Sequence, residues 1–92
     1  MNYNIIVEHE AIQDLINIKK YIANDSITKA NSFISELKGK IKSLDTMPHR
    51  CRKSLYTKES NTHDLIYKSY TIVYKVIDYN IHILTVFKQK NY

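Results

Sequence analysis

The spacing of apolar residues shifts twice along the chain, from alternating to helical and back again, and those shifts mark its elements. Residues 2–7 alternate polar and apolar, which places Tyr3, Ile5 and Val7 on one face of an opening strand. From about Glu8 to Asn24 the period becomes helical: Ala11, Leu15, Ile18 and Ile22 recur at steps of four, three and four, and Ile12 and Ile16 widen the stripe. Asn24-Asp25-Ser26 breaks that helix and offers side-chain oxygens to cap the next. The second helix runs from about Ile27 to Leu44, with Ala30, Phe33, Ile34, Leu37, Ile41 and Leu44 on one face and Lys29, Lys38, Lys40 and Lys42 largely off it. So short a break makes the pair an antiparallel αα-hairpin. Gly39 costs about 1 kcal/mol relative to alanine in a helix and is expected to mark close approach to a neighbouring element.

Pro48 ends the helical region, and β-rich runs follow. Arg52–Tyr56 reads as a short strand, Thr57–Thr62 as a polar loop, and His63–Tyr67, Tyr70–Ile77 and Ile81–Lys88 as strands. The separators Lys68-Ser69 and Asp78-Tyr79-Asn80 are of hairpin length, which predicts a β-meander. Regular alternation groups Ile81, Ile83, Thr85 and Phe87 on one face of the last strand and His82, Leu84, Val86 and Lys88 on the other. The predicted order is β-α-α-β-β-β: one α+β domain over residues 1–92, an antiparallel sheet with the helices packed on one face.

Cys51 is the single cysteine, so no internal disulfide can form, and a reducing, cytoplasmic setting is expected. Met1 to Val7 carries no basic leader, and no apolar run approaches the roughly 18 residues that span a bilayer, so neither secretion nor insertion is expected. The net charge of +5 is unevenly placed. Lysines and acids cancel over residues 1–48, and the whole excess lies in residues 49–92, which fits an anionic polymer or an acidic protein as partner.

Arg50 and Arg52, the two arginines of the protein, fall in one stretch with His49 and Lys53. A guanidinium is a planar fork of donors suited to phosphate, although the same stretch also reads as a basic turn tied to the helices. A second basic element, Lys88, Lys90 and Tyr92, closes the chain. His9, His49, His63 and His82 show no metal-ligand spacing, so neither a metal nor a cofactor is expected. Cys51 has basic neighbours but no paired His and carboxylate, and is not assigned as a nucleophile.

The run from Ala11 to Ile22, with Asp14-Leu15, Ile18 and Tyr21-Ile22, resembles the first helix of ParE-type toxins. Ala30, Phe33, Leu37, Ile41 and Leu44 leading to Met47-Pro48 are similar to their second helix. His63-Asp64-Leu65, Tyr70 to Val76 and Ile83 to Lys88 resemble their strands. By this resemblance the chain looks like a RelE/ParE superfamily toxin, closest to the ParE-like plasmid-stabilisation toxins of bacterial type II toxin–antitoxin modules. The likeness implies a cytoplasmic protein neutralised by a cognate antitoxin in a hetero-oligomer. The antitoxin would lie on the apolar faces of the hairpin or on the open edge of the sheet. Departures are visible: the arginines after Pro48 lack the family's glycine, and Lys88, Lys90 and Tyr92 occupy the places where a His, an Arg and then an aromatic are frequent, so that the imidazole is missing.

Three functions stay open: inhibition of DNA gyrase, ribosome-dependent cleavage of mRNA in the RelE manner, and antitoxin binding with little toxicity. Arg50, Arg52, Lys53, His63, Lys88 and Lys90 are the candidate binding residues. In a ribonuclease, Arg50, Arg52, Lys88, Lys90 and Tyr92 would be the catalytic set, supplying cations, base and acid for attack by a 2′-hydroxyl. Replacing both arginines with alanine is expected to abolish toxicity and leave folding intact.

Overall fold

The computed structural model describes residues 2–88. The chain runs β1 (Asn4–Val7), α1 (His9–Ala23), α2 (Ile27–Lys42), a single 3-10 turn (Ser43–Asp45), β2 (Arg52–Lys53), β3 (Thr62–Tyr67), β4 (Tyr70–Ile77) and β5 (Asn80–Lys88). The strands form one sheet in the order β1-β5-β4-β3-β2. From β2 to β5 all pairing is antiparallel, as expected of a meander. The first strand departs from the antiparallel expectation: β1 lies parallel to β5, Ile5 opposite Ile81 and Val7 opposite Ile83. Physically, the out-and-back helix pair returns the chain to the end of the sheet where β1 left it, so β2 starts opposite in direction to β1 and the fourth strand of the meander runs parallel to it. The expected strand Arg52–Tyr56 shortens to two residues, because the Leu55 amide turns to the Asp64 carboxylate instead of a ladder partner.

Ser26 caps α2 as its place in the break predicts, its Oγ accepting from the Lys29 amide. Helix residues Ala11, Leu15, Ile34, Leu37, Ile41 and Leu44 pack on Tyr70, Ile72, Tyr74, Val76, Ile81, Ile83 and Val86 of the sheet. Tyr3, Ile5 and Val7 close the same core from the edge. On the opposite face, Ser54, Thr62, Asp64, Thr71 and Val73 are buried. There the loop after β2 crosses, with Tyr56 set edge-on against Phe87 at 4.9 Å.

Two details depart from regular spacing. In β5, Tyr74 pairs with Ile83 but Val73 with Thr85, so Leu84 is an extra residue, a β-bulge. After it the alternation reverses, and Val86 joins Ile81 and Ile83 in the core, on the face that regular spacing shares among Ile81, Ile83, Thr85 and Phe87. Gly39, expected at a close approach, faces open space: a Cβ built there meets nothing within 4 Å. Gly39→Ala should therefore stabilise the chain by about 0.5–1 kcal/mol. Chemical denaturation would read this as a higher midpoint at unchanged slope.

Candidate functional site

Two surfaces concentrate chemistry. Along the edge of the sheet, β1 lies open on its outer side while α1 and α2 arch over it. Ile5 and Val7 of β1, Ile12, Leu15 and Ile16 of α1 and Ile41 of α2 enclose a groove of about 520 Å³. Ile12 and Ile16 are 43% and 40% exposed, high for isoleucines in a stripe that also feeds the core. Lys38 and Lys42 line the α2 side. Exposed Lys19 and Lys20 follow Ile16 by three and four residues, which puts them on the same flank of α1. An apolar floor between cationic margins complements an amphipathic segment whose polar side is acidic. The hairpin face and the open sheet edge, separate alternatives in the sequence, meet at this groove.

The second surface is the turn after Pro48. Arg50 donates from Nη2 to the Ser43 hydroxyl at 2.7 Å, which ties the turn to the end of α2. Arg52 reaches Asp64 Oδ2 at 3.4 Å, and the same oxygen accepts the Leu55 amide at 3.1 Å. The Asp64 side chain is wholly buried, and its Oδ1 has no hydrogen-bond partner among the described residues. Lys53 stands opposite His63 in the ladder. His63 is buried, with Nδ1 3.0 Å from the Cys51 carbonyl. A carbonyl only accepts, so Nδ1 carries a proton and donates. The imidazole stacks on Tyr74 at 5.4 Å and meets His49 edge-on at 5.6 Å. Tyr74 is fully buried, and its hydroxyl donates to the Pro48 carbonyl at 2.6 Å. Burial, helped by the adjacent Cys51 thiol, pushes the Tyr74 phenol well above the ordinary tyrosine range.

The predicted basic residues do not form one cluster among the described residues. Arg52 sits in the row Arg52-Asp64-Val73-Thr85, and Lys88 lies opposite Tyr70 at the far end of β5, beside Asn17, Ile18 and Tyr21. Three strand spacings, on the order of 14 Å, separate β2 from β5. Row parity puts the two side chains on opposite faces of the sheet. Lys90 and Tyr92 lie outside the described residues. Sequence reading passed over the groove lysines, Asp64 as the buried partner of Arg52, and Asp14, which accepts from Thr85 and Val86. An acid inside a β-rich run, as in His63-Asp64-Leu65-Ile66, was the available signal for the second of these.

The Asp64 pair also changes what a double arginine substitution reports. Arg50 is exposed and can be removed with little loss of stability. Arg52→Ala should cost about 1–2 kcal/mol, a buried-pair loss discounted because the arginine is 43% exposed. Urea titration of the two single variants would show that asymmetry; equal midpoints would remove Asp64 as an anchor.

Comparison with known proteins places this arrangement. Residues 5–91 match the family model of the ParE toxin of the type II toxin–antitoxin system parDE. Among solved structures, a chain of the chromosomal ParDE system from P. aeruginosa superposes with a TM-score of 0.80 at 15% identity, covering 96% of this chain and 97% of that one. A chain of the toxin–antitoxin complex RelBE2 from Mycobacterium tuberculosis superposes with a TM-score of 0.63 at 20% identity, covering 97% and 100%. No curated protein matches in sequence. At these identities the superpositions speak to the fold. The family match spans nearly the whole chain, and on it this protein belongs to the ParE toxin family of type II toxin–antitoxin systems.

Proposed function

We propose that the chain is the toxin of its module, that it arrests growth by inhibiting DNA gyrase, and that its cognate antitoxin neutralises it by laying an acidic amphipathic segment in the groove. The observation that carries the antitoxin half is the groove itself, with exposed Ile12 and Ile16 beside Lys38 and Lys42. Such a surface is costly to leave in water and gains most from a partner that covers it.

The gyrase half follows the family membership and is supported by the dispersal of the candidate basic residues among the described residues. Phosphodiester cleavage needs base, cation and acid within hydrogen-bond reach of one phosphate. Here His63 is inside the fold, Arg52 is committed to Asp64, and Lys88 is across the sheet on the other face. That pattern suits contact with a macromolecular surface better than chemistry at one bond.

Controlled expression in bacteria, with translation and DNA integrity followed over the first minutes, tests the reading. DNA breaks with translation intact, together with loss of supercoiling by purified gyrase, are expected. Rapid cleavage of ribosome-bound mRNA would replace it with the RelE-like endoribonuclease. Undisturbed growth would leave an antitoxin-binding protein of low toxicity.

A further inference from the structure

The bulge in β5 decides which face of the sheet the basic strand end presents, and one acidic side chain of α1 is placed to hold it. Backbone N–H groups along an extended strand point alternately to its two neighbours. The Ile83 carbonyl points toward the β1–α1 side, where it accepts the Glu8 amide. In a regular strand the Thr85 amide would next face that side and the Val86 amide would face β4. With Leu84 bulged out of the ladder, the Val86 amide faces α1 instead, and Asp14 Oδ2 accepts it at 2.9 Å. The same oxygen accepts the Thr85 hydroxyl at 2.7 Å. β1 has already ended at Val7, so no strand is there to receive that amide. Asp14 thus bonds both residues that follow the extra one, and only the bulged register offers it this amide.

The consequence appears four residues beyond the bulge. Lys88 sits opposite Tyr70, on the helix side, and lines a cleft with Asn17, Ile18 and Tyr21. Were Leu84 kept but threaded into a regular ladder instead of bulged out, the alternation would carry Lys88 to the opposite face. We infer that Asp14 is a positioning residue: by holding the bulged register of β5 it sets Lys88 on the helix face, in the surface that meets the toxin's target. The inference rests on the reading that Lys88 contacts the target, and its test separates the two.

The register is read first, without toxicity. In a Cys51→Ser background, Tyr21→Cys and Lys88→Cys are joined with a short bismaleimide in three chains: otherwise native, Asp14→Ala, and lacking Leu84. Crosslinking is expected in the first and in the chain lacking Leu84, whose regular ladder keeps residue 88 opposite Tyr70, with a yield roughly tenfold lower in Asp14→Ala as Leu84 enters the ladder and residue 88 leaves the face. Asp14→Asn, which keeps an acceptor for the amide, should restore most of it. Antitoxin binding through the groove, on the other side of α1, confirms that each chain is folded. An equal yield in the folded Asp14→Ala chain would overturn the inference.

Toxicity is then compared for Lys88→Ala, Asp14→Ala and the double variant. If Asp14 acts through Lys88, the double is no more impaired than Lys88→Ala alone. Independent, additive losses would overturn positioning through Lys88. Full toxicity of Lys88→Ala alongside the expected crosslinking would overturn the target reading and leave the control of register standing.

Discussion

Aspartate at both Ile12 and Ile16 should free the chain from its antitoxin while leaving it folded. Both side chains are about two-fifths exposed on the groove floor, so a docked segment removes that remainder from water. Covering it contributes about 1 kcal/mol per residue, a fraction of what full burial of an isoleucine is worth. A carboxylate in its place adds the cost of desolvating a charge with no partner, about 1–3 kcal/mol each even after partial compensation. The two sites together weaken binding by about 4 kcal/mol at the least, or roughly a thousandfold or more. In the free protein the new carboxylates can turn to solvent beside Lys19 and Lys20, and the helix loses only about 0.5 kcal/mol per site in propensity. Titration calorimetry with the cognate antitoxin reads the first effect and thermal unfolding the second. Charge reversal at Lys38 and Lys42 should weaken binding by roughly tenfold, in a salt-dependent way, because rim charges are screened. A double aspartate variant that binds as tightly as the native chain would move the antitoxin elsewhere.

Much of this groove could be read from the sequence, and the reason is periodicity. Ile12 and Ile16 widen the stripe of α1 beyond what Ala11, Leu15 and Ile18 need for the core, and an overwide stripe on a short helix means a face left for something else. The α1 and α2 bounds fall within two residues of those predicted, since caps and breaks are local chemistry. What could not be read is long-range. That β1 would lie parallel to β5 depends on where the hairpin returns the chain. Leu84 carries no mark of a bulge, because Leu, Thr and Val suit a regular strand as well. The error it caused was specific: regular alternation groups Thr85 and Phe87 with Ile81 and Ile83, and Val86 and Lys88 share that face instead. Arg50 and Arg52 were visible as a pair, but their neighbours were not. One is drawn to Ser43 and the other to Asp64, residues seven and twelve positions away that come near only when the turn folds.

Tyr74 should prove the costliest single residue to truncate. It is wholly enclosed, stacks on His63 and carries the hydroxyl that ties the sheet to the Pro48 turn. Tyr74→Ala opens a cavity worth about 3–5 kcal/mol and leaves the Pro48 carbonyl unpaired, in a domain whose whole stability is expected near 5–15 kcal/mol. Tyr74→Phe separates the two contributions, keeping the ring and losing about 1–2 kcal/mol with the hydrogen bond. The raised phenol pKa adds a pH signature. In the unfolded chain the phenol ionises near pH 10, whereas the buried one keeps its proton to higher pH. The stabilisation is therefore fully present below about pH 10 and is lost as pH rises beyond it, because only the unfolded state releases the proton. Urea denaturation at neutral and alkaline pH should show a steeper alkaline loss for the native chain than for Tyr74→Phe, the difference cancelling the other tyrosines. Equal slopes would mean that water reaches the hydroxyl. Should Tyr74→Phe lose toxicity out of proportion to its stability, the turn holding His49, Arg50 and Arg52 would join Lys88 as a candidate surface for the target.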